Sequence, residues 1–190
     1  MNQTFLKFLK FFLPLVLVFS VMAMTIYVAV QQDLRQSAYD PQIEIAEDLA
    51  NYLADGKSPN IANSQVDISK SLAPFVSVFD GKEQPTFSTG TLNGKPPTVP
   101  EGVFAYAKAH SQDRITWQPQ PGVRMATVVV YFKGQSEGYV IAGRSLREVE
   151  NRTQIVMLDV AAGWAAGIAG SFALSFLFVI ASKRFRIKAK

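Results

Sequence analysis

The chain has 190 residues, 48% hydrophobic and 18% charged, with no cysteine and one histidine, His110. This balance excludes a disordered or collagen-like polymer, and the missing thiols exclude disulfide frameworks, thiolate nucleophiles, iron–sulfur clusters and cysteine-ligated zinc. The net charge of +4 is unevenly spread: all 15 acids lie between Asp33 and Asp159 beside 12 of the 19 basic residues, while Lys7 and Lys10 precede that stretch and five basic residues follow it.

A net basic excess confined to two short flanks is not the charged face that a nucleic-acid partner requires, so none is expected. Residues 1–10 read as a basic cytoplasmic N-terminus and 11–30 as a first transmembrane helix, since Phe11 to Val30 is a run of 20 residues without a charge. At about 1.5 Å per residue such a run reaches roughly 30 Å, the thickness of a bilayer's hydrocarbon core. Pro14 is expected within its first two turns, where a missing donor does least harm. The run is longer than a signal-peptide core and ends without a small-x-small cleavage site, which favours an uncleaved anchor.

Residues 31–159 read as one extracytoplasmic domain. Pro41 to Gly56 has a helical pattern, with Ile45, Leu49, Tyr52 and Leu53 at three- and four-residue spacing and acids crowding its front half. Residues 31–40 are expected to continue the membrane helix outward, with a bend before Pro41. Gly56 to Ser71 is polar and reads as irregular. Phe75–Phe79 and Pro85–Thr89 flank the turn signal Asp80-Gly81 and predict a hairpin. Leu92 to Pro100 is a proline-held loop, and Pro100 to His110 a short helix with Val103, Phe104 and Ala107 on one face. Arg114–Gln118, Val123–Phe132 and Tyr139–Ala142, joined by short turns, predict an antiparallel meander. The period turns helical again at Ser145, where Ser145 and Glu148 have capping-box spacing, and the helix is expected to run without a breaker into a second transmembrane helix, residues 160–181. Residues 182–190 form a basic cytoplasmic tail. Lys and Arg on both flanks put both termini in the cytoplasm and the domain outside, in a two-pass protein of the cell membrane.

Phe75-Val-Ser-Val-Phe-Asp-Gly, Gly94-Lys-Pro-Pro-Thr-Val-Pro, Ile115-Thr-Trp-Gln-Pro, Pro121-Gly-Val-Arg-Met-Ala and Gly138-Tyr-Val-Ile-Ala-Gly-Arg-Ser-Leu-Arg-Glu-Val-Glu resemble the extracytoplasmic sensor segments of bacterial two-transmembrane signalling proteins, including some sensor histidine kinases. The resemblance covers roughly residues 35–155. It implies an α+β, PAS- or Cache-like fold: an antiparallel sheet with flanking helices, its last strand feeding a helix that enters the membrane. It supplies no catalytic signature. Only nine residues follow Ala181, and no relay, phosphoacceptor or ATP-binding module is read there, so the expectation is that a partner performs any phosphotransfer.

Several residues carry both a sharp and an ordinary reading. Arg124, Arg144 and Arg147 suit an anionic ligand, since a guanidinium fork matches carboxylate or phosphate, but Arg144 and Arg147 read better as solvated strand-end and helix-start residues facing Glu148, Glu150 or lipid phosphate. Trp117, Tyr131 and Tyr139 read as pocket walls or as core. Arg124, Trp117 and Tyr139 are the ligand-binding candidates. Glu44, Glu47 and Asp48 lie within a turn but suit a helix start better than a cation, and His110 beside Ser111 and Asp113 has no triad geometry. No metal, cofactor or catalytic residue is expected. Gly163, Gly167 and Gly170 are candidates for close helix packing, and Trp164 and Tyr27 for interfacial anchors. The expected partners are the lipid bilayer and either a membrane protein or a second copy met through the transmembrane helices. Two roles follow: a sensor module passing helix movement to a partner, or a structural accessory subunit of a larger membrane complex.

Overall fold

The computed structural model describes residues 3–58 and 65–188, with side chains up to 182. Part of the polar segment after Gly56 and the side chains of the basic tail therefore lie outside the described residues. In chain order the elements are helix α1 (Gln3–Ser37), helix α2 (Asp40–Ala54), strands β1 (Val66–Asp67), β2 (Phe75–Asp80), β3 (Pro85–Ser88) and β4 (Gly90–Thr91), helix α3 (Val103–His110), strands β5 (Gln112–Gln120), β6 (Val123–Lys133) and β7 (Glu137–Ser145), and helix α4 (Arg147–Lys188). They form two compact units, Leu34–Asn151 and the paired end segments Met1–Asp33 and Arg152–Lys190.

The larger unit is an antiparallel sheet in the order β3-β2-β7-β6-β5. The expected hairpin β2–β3 and meander β5–β6–β7 are both present, joined because β2 pairs along β7 from Phe75↔Gly143 to Asp80↔Gly138. This places β6 and β7 inside the sheet, which explains why Val123–Phe132 is nearly continuous in apolar residues rather than alternating. Side chains alternate across the sheet. Val123, Met125 and Val129 join Phe75, Phe79, Tyr139 and Ile141 in a core covered by Val103 and Ala107 of α3. Val128, Val130 and Phe132 join Val140 and Ala142 on the opposite face, beneath Ala46 and Ala50 of α2. Alanines on α2 let its backbone approach the sheet closely.

Two local differences from the sequence reading have simple causes. The segment after Gly56 is not wholly irregular: Val66–Asp67 forms β1, parallel to β4, a pairing too short and too distant in sequence to leave a pattern. Helix α3 begins at Val103 rather than Pro100 because Gly102 takes a left-handed conformation (φ 86) as its cap. A two-residue turn, Ala38–Tyr39, separates α1 from α2, with Pro41, which has no N–H to donate, in the first turn of α2.

The smaller unit pairs α1 with the apolar part of α4. Both helices are long and apolar enough to cross a membrane, with mean hydropathy 2.4 and 1.9 over their most apolar stretches. Phe8 and Phe12 meet Phe172, and the ring centroids of Phe11 and Phe178 are 4.3 Å apart. α1 already starts at Gln3, so Pro14 is interior to it rather than in its opening turns. The outward surface of the pair is greasy: Leu17, Met24, Leu174 and Leu177 are each more than 60% exposed.

Candidate functional site

The chain leaves the sheet at one point where several independent ties converge. β7 ends at Ser145, paired with Met125 of β6, and the next residue, Leu146, donates its N–H to Arg124 O at 2.8 Å before α4 begins. Helix and strand are separated by that single residue. The Ser145 hydroxyl accepts the Arg147 N–H at 3.3 Å, but Ser145 still belongs to β7, one residue upstream of the position a capping-box serine occupies. Glu148 is bound by Arg144 at 2.8 Å, and Glu150 by Arg124 at 2.5 Å. Both pairs are partly exposed, so each is worth at most about 1 kcal/mol.

The remaining guanidinium donors at this junction reach the segment after β1. Arg147 donates to Ser69 O at 2.9 Å and Lys70 O at 3.3 Å, and Arg144 Nε donates to Leu72 O at 3.2 Å. That segment is itself folded locally. Asp67 Oδ1 accepts the Ser69 N–H and hydroxyl, bonds that hold its carboxyl below the usual carboxylate range, with Lys70 adding to the effect. Ile68 is 1% exposed, inserted in the core on the α3 side. Sequence reasoning missed this segment. The available signals were a lone isoleucine in a polar stretch and the Asp-x-Ser pattern of a side-chain-closed turn.

The three ligand candidates are not brought together. Trp117 pairs with Met125, whereas Tyr139 pairs with Tyr131. Met125 and Tyr131 stand six residues apart along β6, about 20 Å at roughly 3.3 Å per residue. Trp117 is buried and forms one wall of a surface groove of about 740 Å³ with Pro97, Val99 and Pro119. Tyr139 is buried against the rings of Phe104 and Tyr131. Arg124 is exposed and lies across the sheet plane from its neighbour Met125.

At the other end of the sheet Glu137 accepts from Lys108 Nζ at 2.7 Å and Tyr131 OH at 3.0 Å. These bonds, Lys108's first, hold the Glu137 carboxyl below its ordinary range, and Glu137 in turn raises the Lys108 ammonium. Burial, then the bond to Glu137, raises the Tyr131 phenol. His110 stacks on Tyr106, and its Nδ1 lies 3.1 Å from the Tyr106 carbonyl. The carbonyl can only accept, so Nδ1 carries the proton. His110 also borders a groove of about 520 Å³ between α2 and the sheet edge, with Glu47, Asn51 and Ser111. Among the described residues no group of three or more His, Asp or Glu side chains is placed to hold a metal ion.

In the helix pair Gly167 faces α1 so closely that a Cβ there would lie 2.7 Å from the Phe19 ring. Gly163 and Gly170 meet nothing within 4 Å. Trp164 donates to Ser20 Oγ at 3.0 Å, which sets it level with the middle of the Phe11–Val30 run rather than with its outer end.

No protein-family model matches the chain, and no curated protein matches it. Among solved structures it is similar to the ligand-binding domain of the amino-acid chemoreceptor PctC of Pseudomonas aeruginosa PAO1, in complex with GABA. Sequence identity is 14% and the TM-score 0.40, with 70% of this chain and 62% of that one covered. The chain thus spans less than two thirds of that structure's length.

Proposed function

We propose that this protein is a membrane-anchored, extracytoplasmic sensor-like module that converts a ligand- or envelope-dependent change in its sheet domain into a movement of α4, delivered to a partner membrane protein or a second copy. The observation that carries this reading is the junction. One residue, Leu146, separates a central strand from a helix that continues through the apolar stretch, and both strand and helix are tied there to a third segment by Arg144 and Arg147. The apolar outer surface of the helix pair supports the bilayer as solvent for the second unit, since water would not be met by such a face. Basic flanks support cytoplasmic termini.

Because the sequence has no cysteine, a single cysteine introduced at each position from 155 to 165 is the sole thiol of its variant. Disulfide formation between copies in native membranes is expected to change its periodic pattern when small metabolites, salt or pH are varied. A pattern that stays fixed under every condition removes the sensor reading. The accessory-subunit reading is favoured by one observation, the open Gly163 and Gly170, which leave a face of α4 for another helix. It predicts co-extraction with a larger complex in mild detergent; migration alone, or as a dimer, counts against it.

A further inference from the structure

Residues 66–72 cross the α3-side core as a thin strap, and we infer that this strap is a latch whose docking is read directly by the head of α4. Its attachments are few. Beside its two-residue parallel ladder with β4, Val66 N donates to Thr89 O at 2.7 Å and Ile68 N to Thr91 O at 3.0 Å. Ile68 is its one fully buried side chain, while Leu72 is 42% exposed. Thr91 Oγ1 donates to Val66 O at 3.4 Å, and the junction ties down the rest of the strap: Arg147 donates to the carbonyls of Ser69 and Lys70, Arg144 to that of Leu72.

The two arginines are placed to sense rather than merely to hold. Arg144 is near the end of β7 and binds Glu148 in the first turn of α4 with one nitrogen and the strap with another. Arg147 is the first residue of α4 itself. Lifting the strap removes the acceptors of Arg147 and one of the two partners of Arg144, loosening the helix start. By linkage, a displacement of the helix start equally disfavours the docked strap. A backbone movement at the strap therefore has a short physical route to α4, through two side chains and no intervening element. The latch deepens the sensor reading and rests on it for its use, yet its test needs no stimulus, so the two fail separately.

Hydrogen exchange on the full chain in detergent micelles or nanodiscs reads strap and helix head in one experiment. Arg147→Ala is expected to raise exchange about tenfold in residues 66–72 and to raise it in residues 150–154. Arg147→Lys, which keeps the charge but loses the fork, should retain little of the protection. Ile68→Val thins the plug without touching either arginine, and is expected to raise exchange in residues 150–154 as well as in the strap, with Lys82→Ala as an unchanged control. Strap protection unaffected by Arg147→Ala overturns the inference. So does a strap loosened by Ile68→Val above an α4 head whose exchange does not move.

Discussion

At the scale of single residues, the Phe75 ring is held tightly between two glycines of the sheet domain. A Cβ built on Gly90 would lie 2.6 Å from Phe75 Cδ2, and one on Gly143 would lie 2.4 Å from Phe75 Cε1. Neither contact can be relieved without moving a fully buried ring. Gly143→Ala is therefore expected to destabilise the domain by about 1–3 kcal/mol, read as a lowered unfolding midpoint. The residue paired with Gly143 predicts the opposite sign. Thr127 is fully buried and its hydroxyl has no hydrogen-bond partner. Thr127→Val keeps the shape and removes an unsatisfied group, so stability should rise by about 1 kcal/mol. A loss instead would show that the hydroxyl has a partner in the working protein.

At the scale of elements, α3 is held partly by charge and the sign of its pH dependence follows. The Glu137 carboxyl is held below its ordinary range, so the stability it contributes is complete above the unfolded carboxylate pKa and is lost as pH falls through the depressed folded value. Lys108 is raised, so its share is complete below its unfolded pKa and lost only as pH rises through the folded one. Amide protection in α3 should be flat through neutral pH and fall in acid, and Glu137→Gln should remove that acid step from the profile. The elements themselves were largely legible in the chain. The turn signal Asp80-Gly81 between two short strand-like runs marked β2 and β3, short turns between three further runs marked the meander β5–β6–β7, and the shift of period at Ser145 marked α4. What was not legible depends on non-local placement. Nothing near Phe75 states that it pairs with Gly143, and nothing near Arg147 states that its acceptors lie 77 and 78 residues away. Arg144 with Glu148, an i,i+4 pair, could be read locally; its bond to Leu72 O could not. The glycines of α4 show the same limit, since helical spacing lists small residues but not the rotation that puts Gly167, and neither Gly163 nor Gly170, against Phe19. Gly167→Leu should accordingly separate the helix pair, seen as lost disulfide trapping between cysteines at Ser20 and Trp164, whereas Gly163→Leu should leave that trapping intact.

At the scale of the whole molecule, the distribution of charge makes a claim that the averages conceal. The stretch from Asp33 to Asp159 carries 15 acids against 12 basic residues, while both flanks carry only basic ones. Lys and Arg next to an apolar span resist transfer across a bilayer far more than acids do, so the flanks should stay on the synthesis side and the mildly acidic sheet domain should cross. The claim is tested with thiols placed one at a time. Cysteine in place of Lys82, exposed on the β2–β3 turn, should react with a membrane-impermeant maleimide added outside intact cells. Cysteine in place of Asn2 should react only after the membrane is opened. Replacing Lys7 and Lys10 together with Gln should then weaken the discrimination at Asn2, because it removes the charge that orients the first span. If Asn2 is labelled from outside in the unaltered background, both the two-pass topology and the direction in which α4 would carry a signal must be reversed.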